Sequence, residues 1–192
     1  MQIREIINKL RDQTETASAV APQEAKKLKK ILNWVHKEKP GKLTAKKYVL
    51  LFLKQLVLDI DAWLKIESLP TEAEKTEALK RMSPTVRYWY SELLPKWLRN
   101  YDPKFYKWKH RMMKGEYADA DRELIKALIN QISSRQGDGV SRLIADMSMA
   151  TDIIVSNNQE NPLCTQLTQS ADEYTQEKES SWEETLRSGT GA

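Results

Sequence analysis

Cationic and aromatic side chains are concentrated between residues 96 and 114 of this chain, where Asp102 is the only acidic residue. Basic groups neutralise phosphates and release counterions, and aromatic rings stack on unpaired bases. The combination therefore predicts a surface that binds RNA or single-stranded DNA. The side chains predicted to bind are Lys96, Arg99, Tyr101, Lys104, Tyr106, Lys107, Lys109, His110, Arg111 and Lys114.

The spacing of the aromatic residues separates core positions from exposed ones. Phe105, Trp108 and Met112 fall on one face of a helix, and Trp97 continues an apolar stripe, so these side chains are expected in the core. Tyr101 and Tyr106 are then the rings left to stack on a ligand. The competing interpretation is that the lysines only form a solvated helix face.

A second basic cluster lies nearer the N-terminus, at Lys26, Lys27, Lys29 and Lys30. In a helix the first, third and fourth of these share one side, and Lys27 lies on the flank. Alone, such a face would serve solubility. Two clusters in one small domain predict a continuous basic surface, and all four lysines are candidates for nucleic-acid binding.

The charge of the chain is unevenly distributed along the sequence. The whole chain carries +4, but residues 157–192 contain seven acidic and two basic side chains, a net charge of −5. Residues 1–156 therefore carry +9. A basic body followed by an acidic segment is typical of proteins with a polyanionic partner.

The sequence predicts no catalytic residue, no metal site and no cofactor. His36 and His110 lie far apart in basic neighbourhoods without an adjacent carboxylate partner. Asp119, Asp121 and Glu123 precede an apolar helix, where acids favour the positive end of the helix dipole, so a metal site is the weaker interpretation. Phosphate-loop, dinucleotide-binding and nucleophile motifs are absent from the sequence.

Two features predict a cytoplasmic protein without a membrane partner. Cys164 is the single cysteine, which excludes an internal disulfide framework and a cysteine-rich zinc site. The N-terminal residues MQIREIINKLR lack the apolar region of a secretory signal. The longest apolar run, residues 48–58, would extend only about 17 Å as a helix, too short to span a bilayer.

That apolar run predicts the centre of the fold. Between Tyr48 and Leu58 only Lys54 and Gln55 are polar, so a helix here must be surrounded by other elements. We predict a central helix over residues 44–68, capped by Thr44.

The remaining patterns predict an all-α fold, an irregular bundle of about seven helices over residues 1–156. A short first helix ends in a small-residue linker, TETASAVA, and a capping box at Thr71 and Glu74 starts another helix. Pro95 is expected to kink or end its helix, and Gly115 to end the next. A last helix is predicted from Val140 to Ile154. Almost no sheet is expected, and residues 157–192 are predicted to be an acidic, largely disordered tail.

Together these patterns favour a non-catalytic nucleic-acid-binding subunit of a larger nucleoprotein assembly. In size, charge and helicity the chain is similar to the small helical subunits of CRISPR effector complexes, which line nucleic acid with basic helix faces. Viral nucleic-acid-binding or accessory proteins share this profile. The resemblance implies RNA or single-stranded DNA and other protein subunits as partners. The alternatives are a protein-interaction adaptor or scaffold with a solubilising basic surface, and an enzyme whose residues converge only in three dimensions.

The charge asymmetry generates a first testable prediction. An attached acidic segment competes with nucleic acid for the same lysines at an effective concentration in the millimolar range. Removal of residues 157–192 is expected to tighten binding of a single-stranded oligonucleotide most at low salt, because exposed charges are screened beyond about 8–10 Å at physiological salt. Equal affinity of the full-length and truncated chains at low salt would assign the segment no such role.

Overall fold

The computed structural model describes residues 1–117, 120–157 and 161–167, together with residue 180. These residues are mostly helical, as predicted, and also contain a small sheet. The helices are α1 (Ile3–Val20), α2 (Pro22–Lys37), α3 (Pro40–Thr44), α4 (Lys47–Glu67), α5 (Glu72–Lys80), α6 (Pro84–Tyr88), a π-helical segment (Trp89–Leu93), α7 (Leu94–Arg99), α8 (Phe105–Lys114), α9 (Ala120–Ser134) and α10 (Leu143–Met149). The strands are β1 (Asp138–Val140), β2 (Ile153–Ser156) and β3 (Leu163–Thr165).

The chain divides into two compact units, Met1–Ala118 and Asp119–Ala192. The division lies inside the range predicted as a single helical domain, residues 1–156. The net charges of the two parts differ more at this division than at the predicted boundary, where they are +9 and −5. Residues 1–118 hold 25 basic and 14 acidic side chains, a net charge of +11, whereas residues 119–192 carry −7.

Helix α4 is the centre of the first unit. It packs against α1, α3, α5 and α8. Its side chains are buried around much of the helix, including Phe52, Leu53, Leu56 and Ile60, each at most 1 % exposed. An apolar helix excludes water only when neighbours cover most of its surface, and this explains why α1, α3, α5 and α8 pack against it.

Two predicted boundaries near α4 are wrong. Thr44 does not cap the helix, because it ends α3 and its hydroxyl donates to the carbonyl oxygen of Pro40 at 3.0 Å. Helix α1 continues through the predicted linker to Val20. The small side chain of Ala17 is fully buried there, and the Gln13 amide donates to the carbonyl oxygen of Val57 at 2.7 Å, so tertiary contacts stabilise the extra turns.

The helix around Pro95 continues instead of ending. The π-helical segment precedes the proline, and the Leu94 N–H donates to the Trp89 carbonyl oxygen five residues earlier. A wider turn changes the hydrogen-bond register just before a residue that has no N–H to donate, so the chain remains helical through α7. The capping box at Thr71 and Glu74 is present as predicted, and Gly115 ends α8 with a φ of 80°.

The second unit contains the sheet that the sequence patterns did not predict. Its strand order is β1-β2-β3 with antiparallel pairing, and Val140 lies opposite Ile154. The predicted helix from Val140 to Ile154 is wrong, because only α10 is helical and Ala150, at a φ of 50°, ends it. Short apolar runs such as Ile153–Val155 fit a buried strand and a buried helix equally well by periodicity.

Strand β3 lies within the segment predicted as a disordered tail, and it pairs with β2 through Cys164 opposite Ile154. The disorder predicted for the rest of that segment falls largely outside the described residues. Truncation of the acidic segment should therefore begin after Leu167, so that β3 is retained. Among the helices of the described residues, none is long and apolar enough to cross a membrane.

The burial of α4 generates a second prediction. Leu53→Ala or Leu56→Ala is expected to lower the free energy of unfolding by roughly 2–5 kcal/mol, because each fully buried side chain leaves a cavity. Leu58→Ala is the matched control, since Leu58 lies on the same helix and is 60 % exposed. Urea denaturation followed by circular dichroism measures the difference. Equal effects at all three positions would contradict the assignment of α4 as the buried centre.

Candidate functional site

The two basic clusters are more than 60 residues apart in sequence. They meet where α2 packs beside α7 and contacts α8 through side chains. The Lys30 Nζ lies 4.4 Å from the ring centre of Phe105 and 5.7 Å from that of Tyr101. From the other side, the Lys109 Nζ lies 5.9 Å from the ring centre of Trp34. We define the α2–α8 surface as Lys26, Lys30, Tyr101, Tyr106, Lys109 and His110.

A buried carboxylate holds the connection between α7 and α8 in place. One oxygen of Asp102 accepts hydrogen bonds from the indole N–H groups of Trp97, at 3.2 Å, and Trp108, at 3.0 Å. Its other oxygen accepts the backbone N–H of Lys104 at 2.9 Å. These bonds order the turn that carries Tyr101 and begins α8.

Lys27 is buried, although the sequence suggested that it would contribute to the binding surface. Its side chain is 8 % exposed, donates to the carbonyl oxygen of Trp97 and lies 4.5 Å from that residue's ring centre. Burial lowers its pKa to about 8, the nearby carboxylate of Asp102 opposes that change, and Lys30 adds to it. Lys27 therefore joins α2 to α7 inside the protein and is not available to a ligand.

Arg99 also has a structural partner that the sequence patterns did not reveal. Its Nε and one terminal nitrogen lie 3.0 and 2.7 Å from the same carboxylate oxygen of Glu24. The Glu24 side chain is 8 % exposed, so the pair is shielded on the α2 side. Arg99 balances the charge of this carboxylate, while its own side chain is 60 % exposed.

Helical spacing divides the basic residues of α8 between two flanks. Tyr106 and Lys109 lie on the flank next to α2, whereas Lys104, Lys107 and Arg111 lie on the other flank. Partial burial lowers the pKa of Lys104, and Asp102 opposes the change. The structure therefore does not place all the predicted residues on one face.

The C-terminal end of α8 carries partly neutralised cations. Arg111 and Lys114 lie 3.8 and 3.7 Å from the carboxylate of Glu116, and the Arg111 guanidinium lies 4.8 Å from the ring centre of Tyr117. Such exposed ion pairs are worth little in stability, but they reduce the local positive potential.

Other predicted cations have no carboxylate partner in the part of the chain that the structure describes. An unneutralised cluster of lysines costs repulsion energy, and a phosphate chain would relieve it. These lysines are Lys26, Lys29, Lys30, Lys96, Lys107 and Lys109.

The aromatic residues divide between core and surface as their spacing predicted. Trp97, Phe105 and Trp108 are buried, whereas Tyr101 is 82 % and Tyr106 is 70 % exposed. The Tyr106 ring lies nearly parallel to that of His110, with an interplanar angle of 9° and centres 6.2 Å apart. The two rings are therefore stacked, and both residues are exposed.

The residues considered for catalysis or metal binding are His36, His110, Asp119, Asp121 and Glu123. His36 lies 3.5 Å from a guanidinium nitrogen of Arg11, and Glu123 pairs with Lys126 at 2.7 Å. Asp119 and the side chain of Asp121 fall outside the described residues. In the rest of the chain, as far as it is described, the acidic, histidine and cysteine side chains form no cluster suited to a metal ion.

Comparison with known proteins found no matching family model, and no curated protein or solved structure with significant similarity to this chain. The function of the α2–α8 surface must therefore be argued from its own geometry.

The burial of Lys27 generates a prediction about pH. Its pKa is about 8 in the folded chain, below its ordinary value of 10.5, so between these values the unfolded chain holds a proton that the folded chain has lost. The free energy of unfolding then rises with pH across this window. Lys27→Met retains the apolar stem without the titrating group. The stability of the wild type relative to this variant is expected to rise from pH 8 to 10.5 in urea titrations, and a flat difference would contradict the burial of a titrating amine.

Proposed function

We propose that this protein binds RNA or single-stranded DNA without catalysis, through the α2–α8 surface, as a subunit of a larger nucleoprotein assembly. The observation that carries the proposal is the meeting of the two basic clusters beside two exposed tyrosines. Lys30 and Lys109 reach the ring of Phe105 from separate helices, with nitrogens 4.4 and 5.9 Å from its centre.

Retention of charge at this surface supports a phosphate ligand. Lys27 and Arg99 are held by buried partners, whereas Lys26, Lys30 and Lys109 have no carboxylate partner in the described residues. Polyanion binding releases condensed counterions, and lysines already engaged in ion pairs would contribute less to this release.

The exposed rings support an unpaired strand over a duplex. An isolated exposed tyrosine is unremarkable, but Tyr101 and Tyr106 both lie within 6 Å of an unpaired ammonium group, at 5.7 and 5.2 Å. Stacked bases within a duplex present only their edges, so these rings would find no partner there.

The adaptor alternative has less support from the described surface. Its exposed large aliphatic side chains include Val20, Leu58, Leu124 and Leu163, which lie on different elements. Protein docking sites usually combine a contiguous apolar centre with a polar rim. The enzyme alternative gains no convergent acid, base or nucleophile from the contacts described above.

A charge-reversal experiment tests the proposed function. The triple variant Lys26→Glu, Lys30→Glu, Lys109→Glu is expected to lose binding to a fluorescein-labelled oligouridylate, measured by anisotropy. Single-strand binding weakens with salt at a slope of about −0.7 for each phosphate contact, so the loss of three contacts is expected to reduce the slope by roughly 2.

Two variants of equal charge change serve as controls. Lys9→Glu, Lys65→Glu, Lys80→Glu alters exposed lysines of α1, α4 and α5, and is expected to bind nearly as well as the wild type. Lys104→Glu, Lys107→Glu, Arg111→Glu alters the other flank of α8. Circular dichroism confirms that each variant is folded. An equal loss of affinity in all three variants would show that binding responds only to net charge. A wild-type affinity that does not change with salt would refute phosphate binding.

A further inference from the structure

We infer that the α2–α8 surface holds two consecutive unpaired nucleotides, one at Tyr101 with Lys30 and one at Tyr106 with Lys109. The inference rests on the proposed function and specifies its ligand as a strand with accessible bases. Each subsite would use an aromatic ring for a base and an ammonium group for a phosphate.

The side-chain pairing defines the two subsites. The Lys30 Nζ lies 5.7 Å from the ring centre of Tyr101, and the Lys109 Nζ lies 5.2 Å from that of Tyr106. With 82 % and 70 % of their side-chain surfaces exposed, both tyrosines keep ring area open to a base. An ammonium group beside a ring also suits the negative phosphate attached to the stacked base.

The upper limit on the distance between the two ammonium groups restricts which phosphates they can serve together. Both nitrogens are measured from the ring centre of Phe105, at 4.4 and 5.9 Å, so they lie at most 10.3 Å apart. Successive phosphates of one DNA strand advance about 3.4 Å along a B-form axis, and more in an extended strand. The two subsites can therefore serve only phosphates that are close neighbours along one strand.

Phe105 is the buried ring that both ammonium groups approach. It is buried and packs edge-on against Trp108, with ring centres 4.8 Å apart. Attraction between each ammonium group and the face of this packed ring favours positions of the two lysine ends close to it. At the second subsite, the His110 ring is stacked with that of Tyr106, so a base would add to an existing pair of parallel rings.

The test compares two ligands that carry the same phosphates. One is a short oligothymidylate, and the other is an oligonucleotide of the same length in which every nucleotide is abasic. Tyr101→Ala and Tyr106→Ala are each expected to weaken oligothymidylate binding by about 5- to 100-fold, the effect of losing one stacked base. Neither substitution is expected to change the weaker affinity for the abasic strand.

A matched control separates the ring from the hydroxyl group. The double variant Tyr101→Phe, Tyr106→Phe keeps both aromatic faces and is expected to bind oligothymidylate as the wild type does. Because both tyrosines are largely exposed, the alanine variants are expected to keep the wild-type melting temperature.

The remaining outcomes distinguish failure of the subsites from failure of the proposed function. Unchanged oligothymidylate binding in the alanine variants, with loss in the Lys26, Lys30, Lys109 variant, would refute the stacking subsites and leave phosphate binding intact. Equal wild-type affinity for the abasic strand would have the same meaning. Absence of binding to either strand would refute both proposals, and salt-dependent binding of polyglutamate in its place would identify an acidic protein partner.

Discussion

The positions of α2, α7 and α8 in the first unit depend on one buried carboxylate, that of Asp102. Asp102 accepts hydrogen bonds from two indole N–H groups and a backbone amide, and it lies close enough to Lys27 to affect that amine's pKa. Buried indole N–H groups without an acceptor would each cost about 1–3 kcal/mol. Because the indole N–H groups of Trp97 and Trp108 both donate to Asp102, α7 and the start of α8 are held next to the same carboxylate. Helix α2 joins them there, since Lys27 donates to the Trp97 carbonyl oxygen.

The basic side chains of this unit perform two different tasks. Lys27 connects α2 to α7 inside the fold through the Trp97 carbonyl oxygen. Arg99 connects the same helices at the surface through the buried carboxylate of Glu24. Desolvation of a charge is expensive unless it has a partner, so the buried side chains of Lys27 and Glu24 depend on theirs. Lys30 and Lys109 instead place their ammonium groups over aromatic rings, those of Phe105 and Tyr106 among them. Clustering in sequence does not distinguish between the two tasks.

The two units of the chain carry net charges of opposite sign. Residues 1–118 carry +11 and residues 119–192 carry −7, so the positive potential that would attract a polyanion belongs to the helical unit. The acidic unit includes the three-stranded antiparallel sheet with α9 and α10. Exposed charges act over about 8–10 Å at physiological salt, so ionic strength controls how strongly either unit acts on a charged partner.

The sequence alone determined the features that arise from local periodicity and from charge. The apolar run after Tyr48 required a surrounded helix, and the spacing of Phe105, Trp108 and Met112 assigned one face of α8 to the core. The capping box at Thr71 and Glu74 was also predictable, because each side chain accepts the free backbone N–H of the other residue within one turn. Charge counting identified the basic body.

Only the tertiary structure decided which of the clustered residues are available at the surface. The burial of Lys27 and the pairing of Arg99 with Glu24 depend on contacts between residues about 70 positions apart, which no local pattern records. The same reason explains the sheet, because the Ile153–Val155 run is a strand through pairing with β1 and β3. Periodicity describes one element at a time, whereas burial and pairing depend on neighbours distant in the chain.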